Sequence, residues 1–159
     1  MKNTVGFTLV ELLIVMAVAA ILATVAAPSL WNFIQNARTT AQANELVTAI
    51  NLARSEAVKR GESIELCASD DGADCEGTSW TDGWIVREAT GGNDVLRVWD
   101  ALPASANIND NGTSVTFRAR GGVNNSLDLT LNFDGCTGEQ ERRIRVNAAG
   151  RPSVVRQDC

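Results

Sequence analysis

The stretch GFTLVELLIVMAVAAILATVAA, residues 6–27, decides how this chain is organised. After its first residue the stretch is apolar except at Thr8, Glu11 and Thr24. As a helix rising about 1.5 Å per residue, it would extend about 30 Å, the thickness of the hydrocarbon core of a bilayer. We therefore expect residues 7–27 to form a transmembrane helix.

A secretory signal peptide and a simple membrane anchor are the alternatives for this segment. A signal peptide would be cut near Ala27, but Lys2 is the only charged side chain before the apolar run, and Pro28 would directly follow the cut. Neither alternative explains Glu11, because a charge inside a membrane helix costs about 2.5–3.5 kcal/mol on insertion scales and is usually paired. Glu11 therefore predicts a cationic partner outside its own segment.

Cleavage after Gly6 would create such a partner, the new α-amino group of Phe7 on a neighbouring subunit. The segment Gly6–Leu12 resembles the prepilin motif of type IV pilins and type II secretion pseudopilins. In that family a prepilin peptidase cuts after the glycine, the new N-terminal phenylalanine is N-methylated, and the glutamate guides subunit docking. The resemblance implies a cleaved leader at residues 1–6, N-methylation of Phe7, and an assembly role for Glu11.

Beyond the apolar run, residues 28–61 have the spacing of an amphipathic helix. Its apolar residues recur three or four positions apart, at Leu30, Ile34, Ala37, Ala41, Ala43, Leu46 or Val47, Ile50, Ala53 and Ala57. We interpret this stripe as core packing and predict one helix from Phe7 to about Arg60, ended by Gly61. Pro28 lies where many pilins have a helix-kinking proline, and it would bend the helix because it lacks an N–H group.

From residue 62 onward the apolar period shortens to two, and glycine, asparagine and aspartate interrupt the chain. The pattern predicts seven strands, at Ser63–Ala68, Gly83–Glu88, Val95–Asp100, Ser114–Arg118, Leu127–Phe133, Arg142–Val146 and Ser153–Arg156. Turns are expected at residues 91–94 and 121–125. We therefore expect an α+β protein with a type IV pilin-like fold, in which the long N-terminal helix packs on an antiparallel β domain at residues 62–159.

A second resemblance lies in the β domain. The segment Trp80–Val86, WTDGWIV, is similar to the W-x-x-G-W strand of the GspH/FimT subfamily, which includes the FimU-type minor pilins. The segments Val95–Val98, Val115–Arg118 and Gly150–Arg151 follow the same layout in order. We interpret the tryptophans of this region as hydrophobic anchors rather than as a ligand-stacking surface.

The four cysteines allow three disulfide connectivities. A domain outside the cytoplasmic membrane lies where disulfides persist. We favour Cys67–Cys75, which closes a short loop, and Cys136–Cys159, which would hold the C-terminal tail. Zinc is the alternative, but the spacings do not match a C-x2-C arrangement.

Four carboxylates crowd the loop between the first two cysteines, at Asp70, Asp71, Asp74 and Glu76. Carboxylate oxygens are the ligands that calcium prefers, and some pseudopilin families bind it. Nothing in the spacing fixes a ligand geometry, so we interpret the group as a solvated loop tip. We expect no metal and no cofactor.

The last part of the chain is locally basic, with Arg142, Arg143, Arg145, Arg151 and Arg156. One interpretation is a strand with Ile144 and Val146 inward and arginines facing water. The other is contact with DNA phosphates through Arg143, Arg145, Arg151 and Arg156. DNA-binding relatives carry Gly-Arg-x-Arg, whereas this chain has Gly150-Arg151-Pro152-Ser153.

The chain has 159 residues, a net charge of −5 and no histidine. The lack of histidine excludes hydrolases of the Ser-His-Asp type and histidine-ligated zinc, and we expect no enzyme activity. The resemblance implies a minor pilin or pseudopilin that starts assembly and forms the tip of a type IV pilus or a type II secretion pseudopilus. The alternative is a DNA-binding minor pilin at the tip, serving DNA uptake in natural transformation.

The same resemblance implies partners and a location. The partners are prepilin peptidase, other minor and major pilins of a hetero-oligomeric filament, and the inner membrane before assembly. The chain would cross the inner membrane once, with its C-terminal domain in the periplasm, and later lie at the tip.

Overall fold

The computed structural model describes residues 7–90 and 94–159. The leader at residues 1–6, with Gly6, and most of the turn expected at 91–94 lie outside the described residues. The chain divides after Gln35 into two compact units, and one helix contributes residues to both.

That helix, α1, is Leu9–Arg60, with 52 residues. It begins two residues after the expected start and ends where the sequence predicts. Gly61 follows it with φ +71°, a left-handed conformation that glycine adopts at little cost. The Gly61 N–H donates to the carbonyl oxygen of Ala57 at 3.0 Å, which closes the last turn.

In the described residues after α1 there are eight strands, which form two antiparallel sheets. The strands are β1 Ile64–Ala68, β2 Trp84–Glu88, β3 Val95–Trp99, β4 Ala106–Asp110, β5 Ser114–Phe117, β6 Leu127–Phe133, β7 Glu141–Val146 and β8 Pro152–Gln157. The first sheet has the order β3-β2-β1-β5 and the second has the order β4-β6-β7-β8. All seven predicted strands are present, each within one residue at either end.

The strand that the sequence did not predict is β4. Three of its five residues are asparagine or aspartate, which are depleted in strands. It forms an edge of its sheet through pairing with β6, where Ala106 lies opposite Phe133 and Ile108 opposite Leu131. Its extended conformation therefore depends on a partner far along the chain.

One apolar core joins α1 to both sheets. From the helix it takes Ala43, Leu46, Ala49, Ile50, Ala53 and Ala57, and from the second sheet Leu127, Leu129, Leu131, Ile144 and Val146. The expectation that the whole helical stripe packs in the core was wrong for its earlier positions, since Leu30, Ala37 and Ala41 are exposed. The core takes its fully buried helix residues from 43–57.

An arginine lies among the buried residues of β7. Arg142 alternates inward with Ile144, and its guanidinium donates to the carbonyl oxygens of Glu139 at 3.0 Å and Glu141 at 2.9 Å. It also donates to Thr40 Oγ1 at 3.2 Å and to Asn36 Oδ1. Burial lowers the pKa of Arg142 from its ordinary value. The Arg142 side chain therefore joins β7 to α1, and its guanidinium is buried in these contacts.

The tryptophans of the β domain act as anchors, as the sequence suggested. Trp80 is buried in a 3-10 helix at Trp80–Asp82, and its indole N–H donates to the carbonyl oxygen of Gly112 at 3.0 Å. Trp84 is buried on β2 and stacks on Trp99 with 6.3 Å between ring centroids. Their rings are occupied by packing inside the domain.

The loop before β8 meets the loop after β5 at two glycines. Arg54 Nε of α1 donates to the carbonyl oxygen of Gly121 at 3.2 Å. Gly150 has φ +72°, and a Cβ atom placed there would collide with that same carbonyl oxygen. The two loops therefore approach this closely only because position 150 has no side chain.

We predict that Gly150→Ala lowers the free energy of unfolding by more than the left-handed backbone alone explains. A non-glycine residue in that conformation costs about 1–2 kcal/mol, and the backbone collision adds to it. Gly135→Ala is the matched control, because Gly135 has φ +76° and open space around it. Urea unfolding of the full chain in detergent micelles measures both, and equal losses would contradict the prediction.

Candidate assembly site

The first half of α1 carries an exposed apolar surface. The exposed large hydrophobic residues here and just before the helix are Phe7, Leu9, Val10, Leu12, Leu13, Ile14, Val15, Met16, Val18, Ile21 and Leu22. Among the described residues, α1 is the one helix long and apolar enough to cross a membrane. We call residues 7–27 the apolar segment. A contiguous exposed surface of this kind marks contact with a membrane or with other proteins.

Two aromatic residues follow the apolar segment. Trp31 is 56% exposed and Phe33 is 69% exposed. Aromatic side chains, tryptophan above all, are enriched where a membrane meets water. Their position just after residue 27 fits a segment that ends at such an interface.

Glu11 lies in the first turn of α1, where it forms a reciprocal cap with Thr8. The Thr8 N–H donates to Glu11 Oε2 at 3.0 Å, and the Glu11 N–H donates to Thr8 Oγ1 at 3.2 Å. The Thr8 hydroxyl also donates to Glu11 Oε2 at 2.9 Å. This is a capping box, which satisfies two backbone N–H groups that the helix leaves without partners.

Sequence reasoning identified Glu11 by its charge and missed the cap. The signal was present, since Thr8-x-x-Glu11 has the capping-box spacing. Its consequence is that the Glu11 carboxylate already has donors inside its own chain. A cationic partner from another subunit would share this carboxylate with the cap.

The structure contains two disulfides, Cys67–Cys75 and Cys136–Cys159, which are the pairs favoured from the sequence. The second holds the end of the chain after β8, and the Cys159 N–H donates to the carbonyl oxygen of Gly138 at 3.1 Å. Glu65 lies close to the sulfurs of Cys67 and Cys75. Both sulfurs are bonded to each other, so this group offers no thiolate pair to a metal.

Two carboxylates of the acidic loop hold its backbone. Asp71 Oδ1 accepts from the N–H of Ala73 at 2.8 Å and of Asp74 at 3.2 Å, which lowers the pKa of Asp71. Asp74 Oδ1 accepts from the N–H of Glu76 at 3.1 Å. These bonds give the two carboxylates a structural role in closing the loop.

On the outer face of the second sheet, Arg143 and Arg145 share one carboxylate. Arg143 donates to both oxygens of Asp128, with Nε–Oδ1 at 2.8 Å and Nη2–Oδ2 at 2.6 Å. Arg145 Nε donates to Asp128 Oδ2 at 3.3 Å. The Arg143 guanidinium holds the pKa of Asp128 below its usual range. Ile144 points inward between them, as expected, and this pair of arginines is partly neutralised.

Other arginines have no carboxylate partner among residues 7–90 and 94–159. Arg54, Arg118, Arg120 and Arg151 come from three segments that touch at Gly121 and Gly150. Arg54 and Arg118 bond only neutral oxygens, and Arg120 and Arg151 are exposed. We call these four the arginine junction. Arg156, the remaining arginine predicted to contact DNA, is exposed on β8.

Two family models match this sequence. A model of the prokaryotic N-terminal methylation motif matches residues 1–27. A model of the type II transport protein GspH matches residues 42–150, more than half of the chain. The chain belongs to the GspH family.

Solved structures similar to this GspH-family chain are minor subunits. The type IV minor pilin FimU of Pseudomonas aeruginosa is 22% identical, with a TM-score of 0.62, over 77% of this chain and 92% of FimU. The minor pseudopilin EpsH of the type 2 secretion system of Vibrio cholerae is 12% identical, with a TM-score of 0.54, over 74% of this chain and 96% of EpsH. At these identities the likeness establishes the type IV pilin-like fold.

The comparison with curated proteins gave no match. The family and the similar structures consist of structural subunits, and the prediction of the minor pilin and pseudopilin family is confirmed. The motif and the apolar segment together indicate membrane anchoring and assembly into a filament.

We predict that Asp128 stabilises this GspH-family chain above about pH 4 and loses that contribution as the pH falls. Its folded-state pKa lies below its usual value of 3.8, so protonation removes the pairing with Arg143. Asp128→Asn should therefore be less stable than the parent at neutral pH, and the difference should shrink on acidification. Urea unfolding across a pH series measures this.

Asp100→Asn is the control, because Asp100 is exposed and makes no ion pair with the described residues. Its stability should follow the parent at every pH. A difference between Asp128→Asn and the parent that stays constant down to acid pH would contradict the prediction.

Proposed function

We propose that this chain is a minor pilin or pseudopilin subunit that prepilin peptidase processes between Gly6 and Phe7. The leader is residues 1–6, and Phe7 becomes the N-methylated first residue of the mature subunit. The support is the methylation motif at residues 1–27 and the position of Glu11 in the first turn of α1. The family supplies the order of these steps.

The proposed topology is a single pass of the inner membrane by residues 7–27. Residues 28–61 continue the helix, and residues 62–159 form the domain in the periplasm. The two disulfides support the periplasmic side, because disulfides persist in oxidising compartments. The exposure of the apolar segment supports its burial in the membrane before assembly and among neighbouring helices afterwards.

The subunit then helps to start assembly of a type IV pilus or type II secretion pseudopilus, and it stays at or near the tip. Its partners are other minor and major pilins, which contact the apolar segment. The observation that carries this proposal is an exposed apolar helix whose first turn holds one carboxylate. In the proposed mechanism that carboxylate pairs with the Phe7 amino group of a neighbouring subunit.

The capping box allows the charge of Glu11 to be tested apart from its cap. Glu11→Gln keeps a side chain that can accept from the Thr8 N–H but removes the charge. Thr8→Ala keeps the charge and removes the hydroxyl, at a cost of about 1 kcal/mol in capping. If Glu11 acts by pairing, Glu11→Gln should lower incorporation into filaments by at least about tenfold, since breaking a desolvated ion pair costs about 3–5 kcal/mol.

Incorporation is measured as the ratio of the subunit in sheared filaments to the subunit in membranes. Thr8→Ala should incorporate nearly as well as the parent, and both variants should stay in the membrane. Normal incorporation of Glu11→Gln would contradict the pairing mechanism. A loss in Thr8→Ala without a loss in Glu11→Gln would assign the glutamate to the cap alone.

As a second candidate function we propose that the subunit binds DNA at the tip for uptake in natural transformation. The observation that favours it is the arginine junction, where four arginines from three touching segments have no carboxylate partner among the described residues. Arg143 and Arg145, which the sequence also offered, would have to leave Asp128 to bind phosphate. The structure therefore favours Arg151 over Arg143 and Arg145 as a residue that contacts DNA phosphates.

Binding of the full chain in detergent micelles to short duplex DNA, across a salt series, tests this second function. Each arginine that neutralises a phosphate contributes about 0.9 to the slope of log affinity against log salt. The triple variant Arg118→Ser, Arg120→Ser and Arg151→Ser should bind weakly with a shallower slope. The control variant with Arg143→Ser and Arg145→Ser should keep the slope of the parent chain. If the parent chain does not bind DNA, the proposal is contradicted.

A further inference from the structure

Strand β8 lies at the outside of the second sheet, where it pairs with β7 alone. In an antiparallel pair, every second residue turns its backbone N–H and C=O toward the partner strand, and the residues between turn theirs away. The N–H of Asn147 donates to the carbonyl oxygen of Arg151 at 3.2 Å, which sets the phase of this alternation along β8. The residues that turn their backbone groups outward are therefore Pro152, Val154 and Arg156, which we call the β8 edge.

No strand or loop of the described residues pairs with the β8 edge. Its free groups are the N–H and C=O of Val154 and Arg156 and the C=O of Pro152. The first sheet treats its edge at β5 differently, since the carbonyl oxygen of Thr116 accepts there from the N–H of Asn124 at 3.1 Å. An edge that its own chain leaves open is a template for another extended segment.

Strand β8 carries exposed apolar side chains and is held at both ends. Val154 is 42% exposed and Val155 is 53% exposed, one on each face of the sheet. The close approach at Gly150 fixes the start of the strand, and the disulfide Cys136–Cys159 fixes the residues after it. The strand is thus ordered before binding, which lowers the entropic cost of adding another strand to it.

Two arginines lie directly opposite each other where β7 pairs with β8. Arg142 faces Arg156 in the register, and neither guanidinium forms an ion pair with a described residue. Like charges directly opposite in a sheet are destabilising. Burial is the main cause of the lowered pKa of Arg142, and the charge of Arg156 adds to it. A carboxylate placed beside Arg156, on the open side of β8, would relieve this repulsion.

We propose that β8 is a strand-addition site for an extended segment of another polypeptide, with a carboxylate opposite Arg156 and an apolar residue opposite Val154. The segment runs antiparallel to β8, which is the more stable pairing, and its carbonyl oxygens accept from the N–H groups of the β8 edge. Since residues two apart share a face, the carboxylate and the apolar residue are two positions apart in the segment. The site uses no residue of the apolar segment or the arginine junction, so it rests on neither proposed function.

Amide NMR of the full chain in detergent micelles, titrated with short peptides, tests the proposal. The probe is acetyl-TEVVTT-amide, whose glutamate lies opposite Arg156 when its second valine lies opposite Val154. We expect it to shift the amide signals of Val154 and Arg156 with a dissociation constant of about 1 mM or lower. The control is acetyl-TKVVTT-amide, which should bind at least about fivefold more weakly because it places a third cation beside the two arginines.

A proline at position 154 removes one outward donor without removing a hydrogen bond to β7. Pro152 occupies an outward position of the same strand, and proline is accepted at such edge positions. Val154→Pro should therefore weaken binding of the acidic peptide by about fivefold, the worth of one hydrogen bond. Val154→Thr is the matched control, because it keeps the N–H group, and it should bind as the parent does. The amide signals of β7 report whether the ladder is intact in both variants.

Charge reversal gives a second and independent readout. Arg156→Glu should reverse the preference, so that the basic peptide binds more tightly than the acidic one. Arg120→Glu, a matched change at an exposed arginine outside β8, should leave the preference of the parent unchanged. If Val154→Pro does not fold, this reversal decides the question alone.

Three results would overturn the strand-addition site. They are a parent chain whose amide signals do not move with the acidic peptide, equal binding by a folded Val154→Pro variant, and an unchanged preference in Arg156→Glu. Signals of Val154 and Arg156 that move with short duplex DNA but not with the acidic peptide would also overturn it, and they would assign the edge to nucleic acid. None of these results bears on incorporation into filaments, which is measured separately.

Discussion

An apolar stretch of helix that no described residue covers constrains the rest of this protein. Residues 9–27 are helical, which is what a membrane requires of the backbone, but their large hydrophobic side chains are exposed among the described residues. They must therefore be covered by lipid or by other subunits. At the start of this helix, the capping box of Thr8 and Glu11 provides acceptors for two backbone N–H groups of the first turn. The residues after Gln35 therefore fold against the end of a helix whose first half requires lipid or other subunits as its surroundings.

The β domain meets that requirement by building its core on the end of the same helix. Small residues dominate the helical side of the core, with alanine at 43, 49, 53 and 57, and they let both sheets approach closely. Arg142 adds polar bonds from β7 to Thr40 and Asn36. The disulfides close the acidic loop and hold the C-terminal tail. One helix therefore has an exposed apolar half and a half that packs in the folded domain.

Local patterns made much of this fold predictable. The period of α1 and the alternation in β6, where Leu127, Leu129 and Leu131 point inward, are visible in any short window. The division into two sheets and strand β4 were not, because pairing between residues far apart decides them. The same limit applies to the site. The prepilin resemblance located Glu11, while the partner of Arg143 lies on another strand, at Asp128.

The distribution of charge leaves several arginines without a carboxylate partner among the described residues. Acidic residues outnumber basic ones in this chain, 19 to 14, so the supply of carboxylates does not limit pairing. Asp128 nevertheless serves two arginines, while Arg38 and the arginine junction have no carboxylate among the described residues. Carboxylates at Asp71 and Asp74 are used to close a loop. Exposed cations without a carboxylate in their own fold are available to the partners proposed above, because complementary charge across an interface steers association and fixes its register.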